Sequence, residues 1–133
     1  NRLAFDEIMK KYSEALANSI RQRFAGLPNV EEKEMIGGLT FMYNDKMCVG
    51  IIKDELMCRI DPTIHEACIS KPGCRTMDFT NRPMIGFIMI SEEGMKTKKD
   101  FDHWIDLALD FNKIAKASKR KSKAKTKTAK KKS

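Results

Sequence analysis

The chain has 133 residues, 41% of them hydrophobic and 33% charged, which is enough for one folded domain with a modest core and too little for two. Its net charge of +8 is unevenly placed: residues 113–133 hold eleven basic and no acidic side chains, so residues 1–112 carry −3. The body therefore lacks the basic surface of an extended nucleic-acid reader, and its longest apolar run, Met84–Ile90, falls far short of a membrane span.

Apolar residues at Phe5, Ile8, Met9, Tyr12, Leu16, Ile20 and Phe24 recur at helical spacing, and Gly26 and Pro28 end the pattern, which predicts a helix over 4–25. A Glu/Lys connection leads into strands over 35–43 and 46–53, joined at Asn44-Asp45, two residues that tolerate the left-handed backbone of a tight hairpin. Asp54-Glu55 turns the chain into a third strand over 56–60. Asp61-Pro62 supplies an N-cap and a first helical residue for a short helix that passes His65 and ends before Lys71-Pro72-Gly73. Strands over 74–79 and 84–90 follow, with Pro83 confined to a strand start or edge. Thr97 and Asp100 cap a last helix over about 98–115. The order α-β-β-β-α-β-β-α is that of an α+β fold, an antiparallel sheet with flanking helices.

Two-residue turns set Met42 against Met47 and Ile51 against Cys58. They place Met42, Met47, Val49, Ile51, Leu56, Cys58 and Ile60 on one face, and Leu39, Phe41, Tyr43, Cys48, Ile52, Met57 and Arg59 on the other. Both faces are largely apolar, and three modest helices leave one short of cover, so a homodimer through the sheet or its flanking helix is expected.

Chemistry-bearing patterns are sparse. Cys48, Cys58, Cys68 and Cys74 lack the paired short spacing of a zinc site, and with no secretion signal they read as buried cytoplasmic thiols, Cys74 being the one expected nearest the surface. His65 and His103 have no nucleophile partner in a known arrangement and are expected at the surface or core edge. Glu31, Glu32, Glu34, Asp54, Glu55, Glu92 and Glu93 fall in expected loops. No phosphate-binding glycine loop occurs; Gly37-Gly38 fits a bulge or close backbone approach, with a functional loop as the other use. The nine methionines suit an irregular core or an adaptable binding groove. Nothing calls for a cofactor or a metal. Residues 117–133 form a Lys-rich segment with no side chain able to build a core and are expected to be disordered, with 1–116 as the folded domain. Lys116, Lys119, Arg120, Lys121, Lys123, Lys125, Lys127, Lys130, Lys131 and Lys132 can neutralise phosphates without reading sequence, or serve solubility alone.

Several runs, in this order, carry a resemblance: Gly26-Leu27-Pro28, Met35-Ile-Gly-Gly-Leu-Thr-Phe-Met42, Leu56-Met-Cys-Arg59, Met77-Asp-Phe-Thr80, Arg82-Pro-Met84 and Gly86-Phe87. Over about residues 12–112 the chain resembles the N-terminal domain of the TfoX/Sxy competence regulators. The resemblance implies a fold similar to the type III secretion chaperone-like arrangement and a non-enzymatic role in transcriptional regulation. Members of that family continue into a helical second domain; here the Lys-rich segment stands in its place, as in a stand-alone form. Gly37, Gly38, Arg59, Arg82 and Pro83 match the family pattern. Arg59 and Arg82 suit an anionic partner or a carboxylate within the fold. The expected function is a cytoplasmic regulatory module with a protein partner and nonspecific nucleic-acid contact through the basic segment. The alternative is a small ligand-binding or enzymatic domain with an anion pocket near Arg59 and Arg82.

Overall fold

The computed structural model describes residues 12–116. In chain order they form α1 (Glu14–Phe24), β1 (Val30–Met35), β2 (Gly38–Tyr43), β3 (Lys46–Ile52), β4 (Glu55–Arg59), a 3-10 turn (Pro62–Ile64) leading into α2 (His65–Ile69), β5 (Cys74–Phe79), β6 (Arg82–Ile90), a second 3-10 turn (Glu92–Met95) and α3 (Lys98–Asn112). The class is the expected α+β. Its single antiparallel sheet runs β1-β2-β3-β4-β6-β5.

The expected order holds with one strand more. Val30–Met35 pairs along β2 as an edge strand, so Glu31, Glu32 and Glu34 stand on a strand rather than in a loop, and Glu55 begins β4. Charged side chains on both faces of an exposed edge deter pairing with another chain. α1 begins later than the periodicity predicts. Tyr12 makes a parallel bridge to Lys53, Ser13 donates its N–H to the Lys53 carbonyl at 2.7 Å, and the extended Ser13 then caps the helix by accepting from Leu16 N–H. Residues 4–11 of the expected helix lie outside the described residues.

Three hairpins close on two residues with positive φ: Ile36-Gly37, Asn44-Asp45 and Thr80-Asn81. That paired left-handed geometry matches the right-handed twist of the flanking strands. Met42 faces Met47 as expected, but Ile51 faces Leu56 and Cys58 faces Val49, because the β3–β4 turn is Lys53-Asp54. A slip of two residues keeps every side chain on its face.

The faces themselves differ from the expectation at a β-bulge. Phe41 opposes Val49 and Met42 opposes Met47, leaving Cys48 as the extra residue. Past the bulge the alternation is reset, so Leu39, Phe41 and Cys48 join Val49, Ile51, Leu56, Cys58 and Ile60 in one core. α1 covers that core with Ala17, Ile20 and Phe24, α3 with Trp104, Ile105 and Ala108, and α2 with Cys68. Arg23 ties α1 to α3 through Asp102 (2.9 Å) and Asp106 (2.6 Å), and the Trp104 indole donates to the Gly94 carbonyl at 2.9 Å. A second, separate cluster contains Met57, Met77 and Met89, with Ile36, Met47, Ile52, Met84 and Phe87 packed around them.

Candidate functional site

Arg59 ends β4, and its guanidinium lies 5.7 Å from the ring centres of both Phe87 and Phe111. Its Nη1 donates to the Lys116 carbonyl at 3.0 Å. No carboxylate pairs with it among the described residues, so an internal ion pair is not what fixes it. Two aromatic rings and a backbone carbonyl hold the cation instead. Partial burial, which penalises the charged form, lowers its pKa. The arginine thus holds the chain at Lys116, the last described residue.

Arg82 sits elsewhere. It opens β6 at the exposed tip of the β5–β6 hairpin, next to Pro83, which pairs with Asp78 where only one neighbouring strand is present. Arg59 pairs with Phe87, five positions along β6 from Arg82, a separation of roughly 16 Å at the strand rise. The two arginines therefore share no anion pocket, and neither lines either of the two clefts described below.

Gly37 and Gly38 serve the hairpin. Gly37 takes the left-handed turn position (φ 75°), and a Cβ on Gly38 would stand 1.8 Å from the Ile51 carbonyl oxygen, so β2 and β3 approach there only because the side chain is absent. Close backbone approach is the use the structure shows.

All four cysteines are buried, Cys74 included, contrary to its expected exposure. Burial pushes the Cys48 and Cys74 thiols up to about 12 and raises Cys58 and Cys68 as well. Such thiols are protonated at neutral pH and are poor nucleophiles. His65 is also a correction: it is 1% exposed, deep in the body, whereas His103 is at the surface. Its Nδ1 accepts the Gly86 N–H at 2.9 Å, which leaves Nε2 carrying the proton toward Thr76 Oγ1 at 2.8 Å. Both ring nitrogens are used in holding α2 to β5 and β6.

The larger cleft, about 710 Å³, runs between α1 and the approach to α3, with Ser13, Ser19, Arg23, Asp54, Lys96 and Lys98 among its polar lining and Met95 and Phe101 among its apolar lining. Three of its six charged side chains are tied to one another: Lys98 and Arg23 both hold Asp102, and together they lower its pKa. A smaller depression of about 370 Å³ lies against the methionine cluster, where Arg75 pairs with Glu55. Sequence patterning gave no sign of the larger cleft, since its walls come from three distant stretches of chain. Among the described residues no group of three or more His, Cys, Asp or Glu is placed to hold a metal ion. No helix of the described residues is long and apolar enough to cross a membrane.

Of the basic set expected to meet phosphates, Lys116 is exposed at the end of the described chain. Lys119, Arg120, Lys121, Lys123, Lys125, Lys127, Lys130, Lys131 and Lys132 lie outside the described residues, as does the expected disorder of 117–133.

Comparison with family models gives a match over residues 22–112 to the TfoX N-terminal domain. No curated protein and no solved structure matches the chain.

Proposed function

Because the chain belongs to the TfoX N-terminal domain family, we propose that it is a cytoplasmic regulatory domain of the competence type, working by binding rather than by catalysis. Family membership is the observation that carries this reading. The chemistry-bearing side chains support it: the thiols are buried and protonated, and both nitrogens of His65 are committed to the fold.

The distribution of charge supports a division of labour. Residues 1–112, with a net charge of −3, suit contact with a protein partner, and the run from Lys116 to Lys132 suits nonspecific contact with nucleic acid through release of counterions. The test is binding of labelled duplex DNA across a salt series. It compares the full chain with a full-length variant in which Lys116, Lys119, Arg120, Lys121, Lys123, Lys125, Lys127, Lys130, Lys131 and Lys132 are glutamine. The full chain should bind with an affinity that falls steeply with salt, and the variant should not bind. Equal binding by both would overturn the role of the basic segment, and sequence-selective binding by the variant would move nucleic-acid recognition into the body.

A further inference from the structure

We propose that the outer edge of β5 pairs with β5 of a second copy of this chain, antiparallel about a two-fold axis, in the register that sets Met77 opposite Met77 and joins the two sheets into one.

The two edges of the sheet are built differently. β1 is guarded by four charges in six residues, Glu31, Glu32, Lys33 and Glu34. β5, Cys-Arg-Thr-Met-Asp-Phe, has one charge of each sign, and no described strand lies on its outer side. Ser91 donates its N–H to the Gly73 carbonyl at 2.8 Å, and Phe79 faces Arg82 across a two-residue turn. Alternation from both ends therefore bonds Arg75, Met77 and Phe79 inward to β6 and turns the N–H and C=O of Thr76 and Asp78 outward. The register shift in this hairpin falls on β6, where Ile85, Gly86 and Phe87 stand opposite no residue of β5, so β5 itself stays regular.

A two-fold axis normal to the sheet keeps each face on its own side, so the axis passes through a residue position and four registers centre within Arg75–Asp78. Centring on Arg75 or on Asp78 sets like charges against each other. Centring on Thr76 needs the Cys74 N–H, which is already given to the Lys71 carbonyl at 3.2 Å. Centring on Met77 meets no such conflict. Thr76 of each copy then exchanges both backbone hydrogen bonds with Asp78 of the other. The side chains agree with this register. Thr76 Oγ1 lies 2.8 Å from His65 Nε2, which carries the ring proton, so the hydroxyl keeps its own proton to donate to the facing Asp78 carboxylate. Phe79 is 46% exposed and faces Arg75, whose side chain is held by Glu55 yet is 57% exposed, an aromatic against a cation. Each of these pairs occurs twice about the axis, which is why the edge fits a second copy of itself.

The experiment uses the full chain. Sedimentation equilibrium at high micromolar concentration should show a dimer, and Asp78→Pro, which removes one outward N–H from each copy and no bond within the fold, should weaken it about thirtyfold. Arg75→Cys and Phe79→Cys alter exposed positions. Under mild oxidation a mixture of the two should form an intermolecular disulfide about tenfold faster than either variant alone, because residues 75 and 79 face each other while two copies of either stand about 14 Å apart. A monomer at every concentration would overturn the proposal. So would undiminished dimerisation of a folded Asp78→Pro, or equal disulfide rates in the mixture and the single variants; should Asp78→Pro fail to fold, those rates decide.

Discussion

Two neighbouring glycines with different duties give the sharpest test of how single residues hold this fold. Gly38→Ala drives a Cβ to 1.8 Å from the Ile51 carbonyl oxygen between two paired strands, and should cost about 3 kcal/mol by denaturant unfolding. Gly37→Ala meets no neighbour and pays only for its left-handed backbone, about 1 kcal/mol; equal costs would contradict the close approach. His65→Ala leaves the Gly86 N–H without its acceptor and opens a cavity, an expected loss of about 3 kcal/mol, while the exposed His103→Ala should stay within about 0.5. The glycine pair was legible because its residue types restrict what the backbone does. His65 was not, because Thr76 and Gly86 lie 11 and 21 positions away and no spacing rule connects them. The thiols carry a pH dependence with a definite sign. Their native pKa is raised, to about 12 for Cys48 and Cys74, against roughly 8.5 in an unfolded chain, so the stability they contribute is complete below about pH 8.5 and is lost as pH rises toward 12. Melting temperature should fall above about pH 9, and the double variant Cys48→Ala/Cys74→Ala should flatten that fall. An identical alkaline slope in the two proteins would remove the thiols from the account.

Among the elements, turns and core strands could be read from the sequence, and the edge could not. Asn44-Asp45 announces its left-handed backbone by residue type, and the strands on either side are apolar enough to be seen. β1 is Val-Glu-Glu-Lys-Glu-Met: its charged side chains, set there to protect an edge, erase the alternation that would identify a strand. The helical stripe from Phe5 to Phe24 hid the break at Tyr12-Ser13, because the break is made by a bridge to Lys53 that lies 41 positions on. The bulge at Cys48 was equally silent, and it moved Leu39 and Phe41 to the helix-covered face. The turns that sequence did not choose well are open to improvement. Thr80 is β-branched, exposed and left-handed (φ 52°), so Thr80→Asn should stabilise the protein by about 1 kcal/mol. Ile36→Asn relieves the same backbone but removes a side chain from the methionine cluster, and its gain should be smaller or reversed. Urea midpoints decide the matter: equal gains would mean that Ile36 contributes nothing by packing.

The whole molecule joins an acidic stretch, residues 1–112, to a basic extension, and Arg59 holds the chain at Lys116. The separation was visible in the distribution of Lys and Arg, and the family in an ordered set of short motifs. What Arg59 does was not visible, because Phe87, Phe111 and the Lys116 carbonyl meet only in the fold. Stability and nucleic-acid affinity should therefore respond to different substitutions. Binding that neutralises about six phosphates gives a slope of about −5 in log affinity against log salt, a loss of about a thousandfold between 50 and 200 mM. That slope counts cations in the extension. Arg59→Gln removes two ring contacts, worth about 0.5–1 kcal/mol each, and the hold on the Lys116 carbonyl, so it should lower the melting temperature and leave the slope unchanged. Replacing Lys121, Lys123, Lys125 and Lys127 by glutamine should do the reverse, flattening the slope by about 3 to 4 while the melting temperature stays where it was. If Arg59→Gln also flattened the slope, Arg59 itself would be meeting phosphate, and the body would share in the interface that the charge distribution assigns to the extension.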